Sequence, residues 1–262
     1  MPNLTVTLIA YNEELDLPRA LASLAGIADE IVLVDSGSTD RTCEIAREFG
    51  ARVYTRKMDG FAEQRNYAAS LASNDWVLVI AGDHELSPEL RASILAWKQQ
   101  TPEQTVYQIL QLTNYLGGWI RHSGWYPEYQ ELLYRRDKCK FAGALHERLQ
   151  VEGPVGRLPG QLFHYTVRSF AEHRAKVDVM TTLAAEDLFA RGRKSWRGAM
   201  MFAPPWTIVQ KLVFQLGFLD GWRGGLIAWM AAVYIYRKYR KLGRLLAGET
   251  LTHRSWPQAG EE

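Results

Sequence analysis

Four short apolar runs, separated by helical stretches, constrain this chain most. Leu4–Ala10, Glu30–Asp35, Arg52–Thr55 and Trp76–Ala81 are rich in aliphatic and β-branched residues and too short for buried helices, so they read as strands. Between them lie helix signals. Asp16 is placed to cap a helix from Leu17 to about Leu24, with Pro18 tolerated in its first turn. A second helix runs from about Arg41 to Phe49 and stops at Gly50, and a third covers Phe61–Ala72. Ser87-Pro88-Glu89 opens a fourth, with a capping hydroxyl before a first-turn proline. This alternation predicts an α/β chain with a doubly wound, mostly parallel sheet. Ligands of such sheets sit beyond the carboxyl ends of the strands. The polar clusters after strands one, two and four all fall at that edge.

The middle of the chain reads differently. Val106–Thr113 and Glu131–Arg135 are strand-like, and the Gly- and aromatic-rich Leu116–Tyr129 between them reads as a long loop over a site. Ser169-Phe170-Ala171-Glu172 is a capping box that opens a helix to about Ala190. The expected organisation is a main domain over 1–190, divided near 103, a basic helical segment over 191–245 and a flexible tail over 246–262. Charge supports that division. Residues 1–190 hold 19 Lys/Arg against 25 Asp/Glu, whereas residues 191–262 hold 12 against 4, although the whole chain is only +2. A generally basic nucleic-acid binder is therefore excluded. Cys43 and Cys139 are too far apart for a CxxC or zinc pattern, which points to a reduced, cytosolic setting. The first residues show no basic-then-apolar leader pattern.

Four clusters can carry chemistry. Ala10-Tyr11-Asn12-Glu13-Glu14 offers an aromatic ring for stacking and a carboxylate for hydrogen bonds; a solvated turn is the plainer account. Asp35 ends a buried strand, where a carboxylate needs a partner, and a nucleoside is a natural one. Ser38, Thr39 and Asp40 after it can serve as helix caps. Arg65-Asn66 can reach a base or phosphate or simply face solvent. Asp83-His84-Glu85 follows strand four, where carboxylates can hold Mg²⁺ or Mn²⁺ against a diphosphate.

In order and spacing, Tyr11-Asn12-Glu13-Glu14, Val34–Asp40, Gly60–Asn66 and Asn74–Leu78 resemble glycosyltransferase family 2, the inverting enzymes of GT-A fold. Gly124–Pro127, Leu132–Arg136, Leu145-His146-Glu147, His164 and Gly217–Gly221 are similar to the branch of lipopolysaccharide-core β-1,4-glucosyltransferases. The likeness covers roughly residues 3–242. It implies a UDP-sugar donor, with Ala10, Tyr11 and Glu13 at the uridine, Asp35 at base or ribose, Arg65 at the base and Asp83 at the diphosphate. It implies Glu147 as general base and Trp125, Tyr126 and His146 at the acceptor. Trp125 and Tyr126 can instead simply pack the second layer. The branch's metal motif is usually Asp-Ala-Asp-Glu, and here it reads Ala81-Gly82-Asp83-His84. Asp83 then remains as a ligand of Mg²⁺ or Mn²⁺, with His84 or His164 completing the set; Arg135 or Arg136 at the diphosphate is the metal-free alternative. Leu132 stands where the branch often has Arg.

The implied reaction is inverting transfer of a hexose, glucose first, from a UDP-sugar to a lipopolysaccharide inner-core or related glycolipid acceptor. Two alternatives remain: a transferase for another bacterial surface glycan, and a catalytically silent nucleotide-sugar-binding or scaffold relative, motivated by Ala81. A nucleotidyltransferase is disfavoured, because its Gly-rich N-terminal loop is missing. Residues 191–244 contain 11 Lys/Arg and a single acid, Asp220, interleaved with apolar stretches. That pattern suits peripheral binding at an anionic membrane surface, the inner face of the cytoplasmic membrane. The uncharged run Gly224–Tyr236 has 13 residues, and no run there is longer, short of the roughly 20 needed to span a bilayer.

Overall fold

A computed structural model describes residues 1–143 and 147–252. They divide into two compact units: residues 1–112 with 128–165, and 113–127 with the chain from 166 onward.

The first unit is built on a sheet. Strands β1 (Leu4–Ala10), β2 (Glu30–Asp35), β3 (Arg52–Thr55) and β4 (Trp76–Ala81) have the expected bounds. They pair in parallel in the order β3-β2-β1-β4. Helices α1 (Leu17–Ser23), α2 (Thr42–Glu48) and α3 (Phe61–Ser70) connect them. Next come β5 (His84–Leu86), a three-residue strand without a sequence signal, and α4 (Pro88–Lys98). Ser87 caps α4 by accepting the Leu90 N–H (3.1 Å). Asp16 makes no such cap, because its carboxylate pairs with the Arg19 guanidinium instead. Beyond β4 the sheet turns antiparallel through β8 (Glu128–Arg135), β6 (Val106–Tyr115), β11 (Val155–Val167) and β5, with β7 (Gly118–Ile120) paired to the end of β6. Strands β9 (Cys139–Ala142) and β10 (Arg148–Val151) form a separate hairpin-like pair.

Both faces of the sheet are covered at its centre, so β1 and β4 are buried along nearly their whole length. On β4, Trp76, Leu78 and Ile80 enter one core with Leu8, Leu33, Leu90 and Leu133, while Val77 and Val79 enter a second with Tyr134 and Phe141. Leu132 is buried in the first core, which explains an apolar residue at that position. The register sets Ala10 beside Asp35 and Ile9 beside Ala81, so three polar clusters share one strand-end edge.

The second unit is mostly helical. Helix α5 (Phe170–Ala190) starts as the capping box predicts, with Ser169 Oγ accepting the Glu172 N–H (3.1 Å). It belongs to this unit, so the compact units do not divide at residue 190. Then follow α6 (Arg197–Val209), a π-helical turn Gln210–Phe214, a 3-10 turn Gly217–Asp220 and α7 (Gly221–Leu246). The expected long loop over 116–129 is also more ordered than its composition suggests. Leu116 and Gly117 take positive φ of 50° and 74° and close a two-residue hairpin between β6 and β7. Tyr115, Ile120, Val167 and Ile227 form this unit's core, and Trp125 packs against it.

Candidate active site

The loop after β1 is bound to the loop after β2 by a series of hydrogen bonds. Asn12 N–H donates to Ser38 Oγ (2.8 Å), and Thr39 N–H returns a bond to Asn12 Oδ1 (2.8 Å). Glu13 N–H donates to Thr42 Oγ1 (2.7 Å), and Glu14 N–H to Asp40 Oδ2 (3.1 Å). Asn12 takes a left-handed φ of 55°, which Asn tolerates better than most residues. Tyr11 and Glu13 are the sequence candidates here, yet buried Asn12 is the side chain that joins the two loops. An Asn two residues past the end of a strand was the available signal. Asp40 also accepts the Thr42 N–H (3.0 Å), although it stands one residue before Arg41, the N-cap of α2.

Asp35 is only 2% exposed, and its carboxylate accepts from Gly37 N–H (2.9 Å) and Ser38 N–H (3.0 Å to the same oxygen). Its own loop therefore satisfies it, and its burial no longer calls for a nucleoside.

The fourth cluster is assembled by a strand pairing. β5 runs antiparallel to β11 with His164 opposite His84. Asp83, His84 and His164 consequently offer ligand atoms within 4.8 Å of one another. His164 Nε2 lies 3.2 Å from Asp83 Oδ2, while its Nδ1 meets the Gln111 side chain at 3.1 Å. Tyr165 N–H donates to the Asp83 carbonyl (2.9 Å) and holds the turn. His84 differs from its neighbours. Burial pushes its pKa down to about 3, so its ring is neutral. Its Nδ1 accepts the Ala81 N–H (3.1 Å), which places the ring proton on Nε2. That leaves no lone pair on Nε2 facing Asp83 at 3.9 Å. The donor set fits a divalent cation through Asp83 and His164, one oxygen and one imidazole. His84 fits as a neutral hydrogen-bond donor beside them.

Gly82 brings the first cluster to the fourth. A Cβ there would stand 2.9 Å from Glu13 Cγ, so the glycine gives that side chain its room.

Arg65, on α3, is paired with Glu147 (Nη2 to Oε1, 3.1 Å). Burial is the main influence on its guanidinium, lowering its pKa, while the Glu147 and Asp83 charges act in the opposite direction. Its Nε is buried without a hydrogen-bond partner among the described residues. Glu147 is thus in a salt bridge, but a largely buried one. Asn66 plays a different part, exchanging two hydrogen bonds with the Phe141 backbone (2.8 and 2.9 Å) that tie α3 to β9.

Several expected residues lie elsewhere. Arg135 pairs with Asp137 (2.9 Å), and Arg136 donates to the Ala72 carbonyl (2.7 Å). Arg135 sits opposite Trp76, the first residue of β4, and so at the strand end away from Asp83. Neither is placed to neutralise a diphosphate at that site, because antiparallel pairing sends the end of β8 to the start of β4. Trp125 and Tyr126 belong to the second unit, where Trp125 meets Tyr115 edge-on at 5.5 Å. His146 lies outside the described residues. Gly217–Gly221 turns out to organise the fold. Asp220 accepts from Arg121 N–H (3.0 Å), His122 N–H (3.1 Å) and Ser123 Oγ (2.8 Å). A Cβ on Gly224 would fall 1.7 Å from the Gly217 carbonyl oxygen.

Residues 5–148 match the family model for glycosyl transferase family 2. The chain belongs to that family. This family-2 glycosyltransferase has the α/β, GT-A architecture expected of it, with the candidate cluster at the strand ends. A Rickettsia typhi protein described as an uncharacterized glycosyltransferase is 26% identical over 259 residues, covering 94% of this chain and 87% of its own length. LpsC of Rhizobium meliloti, a lipopolysaccharide core biosynthesis glycosyltransferase, is 27% identical over 271 residues, covering 95% and 98%. S. aureus TarS residues 1–349, solved with UDP-GlcNAc, is 16% identical with a TM-score of 0.48, covering 94% of this chain and 92% of that one.

Proposed function

We propose that this glycosyltransferase moves a hexose, glucose first, from a UDP-sugar to a lipopolysaccharide inner-core or related glycolipid acceptor, with inversion. The observation that carries the reading is the meeting of Asp83 and His164 at the strand-end edge, with Arg65 and Glu147 in the same unit. The name of the R. meliloti relative supports the acceptor class.

In this reading Ala10, Tyr11 and Glu13 line the nucleoside side, and Asp35 acts on the donor through the 36–40 loop that it shapes. Asp83 and His164 would hold Mg²⁺ or Mn²⁺, which supplies charge neutralisation at the leaving diphosphate. Glu147 takes the proton from the acceptor hydroxyl as its oxygen bonds to the anomeric carbon; the bond from that carbon to the phosphate oxygen breaks, and UDP leaves with the electron pair. Arg65 orients Glu147. His146, next to Glu147 in sequence, would contact the acceptor.

The test is UDP release from a panel of UDP-sugars with Mn²⁺ or Mg²⁺, followed by transfer to glycolipid from a strain with a truncated core. Release from one UDP-hexose and transfer to that glycolipid are expected. UDP release with transfer only to another surface glycan would overturn the acceptor, and tight UDP binding without release from any UDP-sugar would overturn transfer itself in favour of a catalytically silent relative.

A further inference from the structure

In the second unit, charged and apolar side chains occupy the opposite of their usual places. Helix α6 has no buried residue, although Arg197 and Thr207 are its only charged or hydroxyl-bearing side chains. Met201, Pro205, Val209 and Val213 recur every four residues, and Phe202, Trp206 and Phe214 form the row beside them. That is one helical stripe continued into the π-helical turn. It faces outward: Phe202 is 70% exposed, Phe214 67%, Trp222 62% and Trp206 57%. Trp206 and Phe214 lie 5.8 Å apart, so the stripe is continuous across the junction. Phe218 and Leu219 in the 3-10 turn are also exposed. Single exposed apolar residues are ordinary, but a run of this kind marks a surface that something covers.

The cations behave in the reverse way. Lys241 donates to the Asp178 carboxylate (2.9 Å) and to Thr182 Oγ1 (2.7 Å), and Lys211 to the Ser123 carbonyl (2.9 Å). Arg223 donates to the Tyr115 and Leu116 carbonyls (3.1 and 2.9 Å). These charges hold the unit together. Arg193, Lys194 and Arg197 remain exposed just before and at the start of α6. Asp220, the one acid in 191–244, has a side chain only 3% exposed. This segment therefore exposes aromatics and cations and no acid.

We infer that this face inserts into an anionic lipid surface, with the Phe202–Trp206–Phe214 stripe and Trp222 among the upper acyl chains and Arg193, Lys194 and Arg197 at the headgroups. Charge decides the occupant. Two copies of this face would set cation against cation, whereas anionic headgroups complement it. Aromatic side chains favour the same interfacial depth. Among the described residues no helix is long and apolar enough to cross a membrane, so the attachment is from one side. The basic run Arg237–Lys241 is not its anchor, because Lys241 is committed to Asp178 and Lys238 is half-buried beside Tyr234 and Tyr239. The inference goes beyond the proposed function and does not depend on donor or acceptor.

The experiment is co-sedimentation of the full chain with phosphatidylcholine vesicles, with and without phosphatidylglycerol. Binding to the anionic vesicles is expected, and the Phe202→Ser, Trp206→Ser double variant should bind roughly tenfold more weakly or worse, with an unchanged circular dichroism spectrum. Brominated phosphatidylcholine in the anionic vesicles should also quench the tryptophan fluorescence of the unaltered protein, a reading that needs no variant. Absence of vesicle binding, absence of quenching, or equal binding by a folded double variant would each overturn the inference. So would a dimer, seen by light scattering, that the double substitution abolishes while vesicle binding persists.

Discussion

The Asp35–Asp83 edge of the first unit and the α6 surface of the second break the usual rule of burial in opposite senses. At the edge, polar and ionisable groups are buried: Asp35, Asn12, His84 and the Arg65–Glu147 pair. On α6, large apolar groups are exposed. Either departure is unfavourable unless compensated, so each invites the question of what compensates it. The two regions answer differently. Asp35 is compensated internally by its own loop, and Asn12 through its Oδ1, while the buried Asn12 Nδ2 has no hydrogen-bond partner among the described residues. The α6 stripe has no compensation from its own unit. Exposed apolar surface therefore has no internal account, whereas a buried carboxylate becomes informative only after its hydrogen bonds are traced.

The comparison is broken most forcefully at Asp83. If Asp83 serves a ligand and not the fold, Asp83→Ala should lower metal-dependent UDP release on the order of 1000-fold while leaving thermal unfolding nearly unchanged. A large drop in melting temperature with little change in rate would place Asp83 with Asp35. Glu147→Gln comes next. It should reduce transfer by roughly 100-fold or more and spare UDP affinity in calorimetry, because the amide still accepts from Arg65 but takes no proton. Weaker UDP binding at an unchanged rate would remove Glu147 from the chemistry.

In the second unit, the contrast is sharpened by changes that act on folding alone. Gly224→Ala forces a Cβ onto the Gly217 carbonyl, and it should destabilise α7 by about 3 kcal/mol, read by hydrogen exchange. The smallest effect concerns pH. Burial lowers the His173 pKa to about 4 from its ordinary 6.5, and its Nδ1 meets the Tyr115 hydroxyl at 2.6 Å. The unfolded chain therefore takes up a proton that the folded unit refuses. Stability is complete above pH 6.5 and is lost as pH falls from there through about 4. Between pH 7 and 5 the loss should be about 2 kcal/mol, and denaturant unfolding of His173→Phe should lack it.

Much of the first unit was legible because its signals are local. Strand length, the helix cap at Ser87, and the polar loops after β1, β2 and β4 depend on residues within a few positions of one another. Two of the family-2 segments, Tyr11–Glu14 and Val34–Asp40, reach those same loops. The readings that failed depended on distant partners. Arg135 was a plausible diphosphate contact until the pairing of β8 with β4 put it at the far end of the sheet. Residues 116–129 looked like a loop because a two-residue hairpin closed by Leu116-Gly117 carries little sequence signal. The C-terminal segment is dominated by cations in sequence, yet several of those charges turn inward in the folded unit.

By itself, then, the sequence determined the four-stranded parallel frame, the edge that carries the site and the family, since each follows from period, capping and loop composition along the chain. Tertiary structure decided the composition of the site and which face of the second unit is exposed. The three-residue strand β5 pairs with β11 and sets His164 beside Asp83, a meeting of residues some eighty positions apart that no local pattern encodes. Packing of α5 against α7 likewise withdrew Lys241 from solvent, and α6 kept its aromatic stripe outside. Both outcomes are set by which surfaces are removed from water, and that becomes defined only when the elements pack.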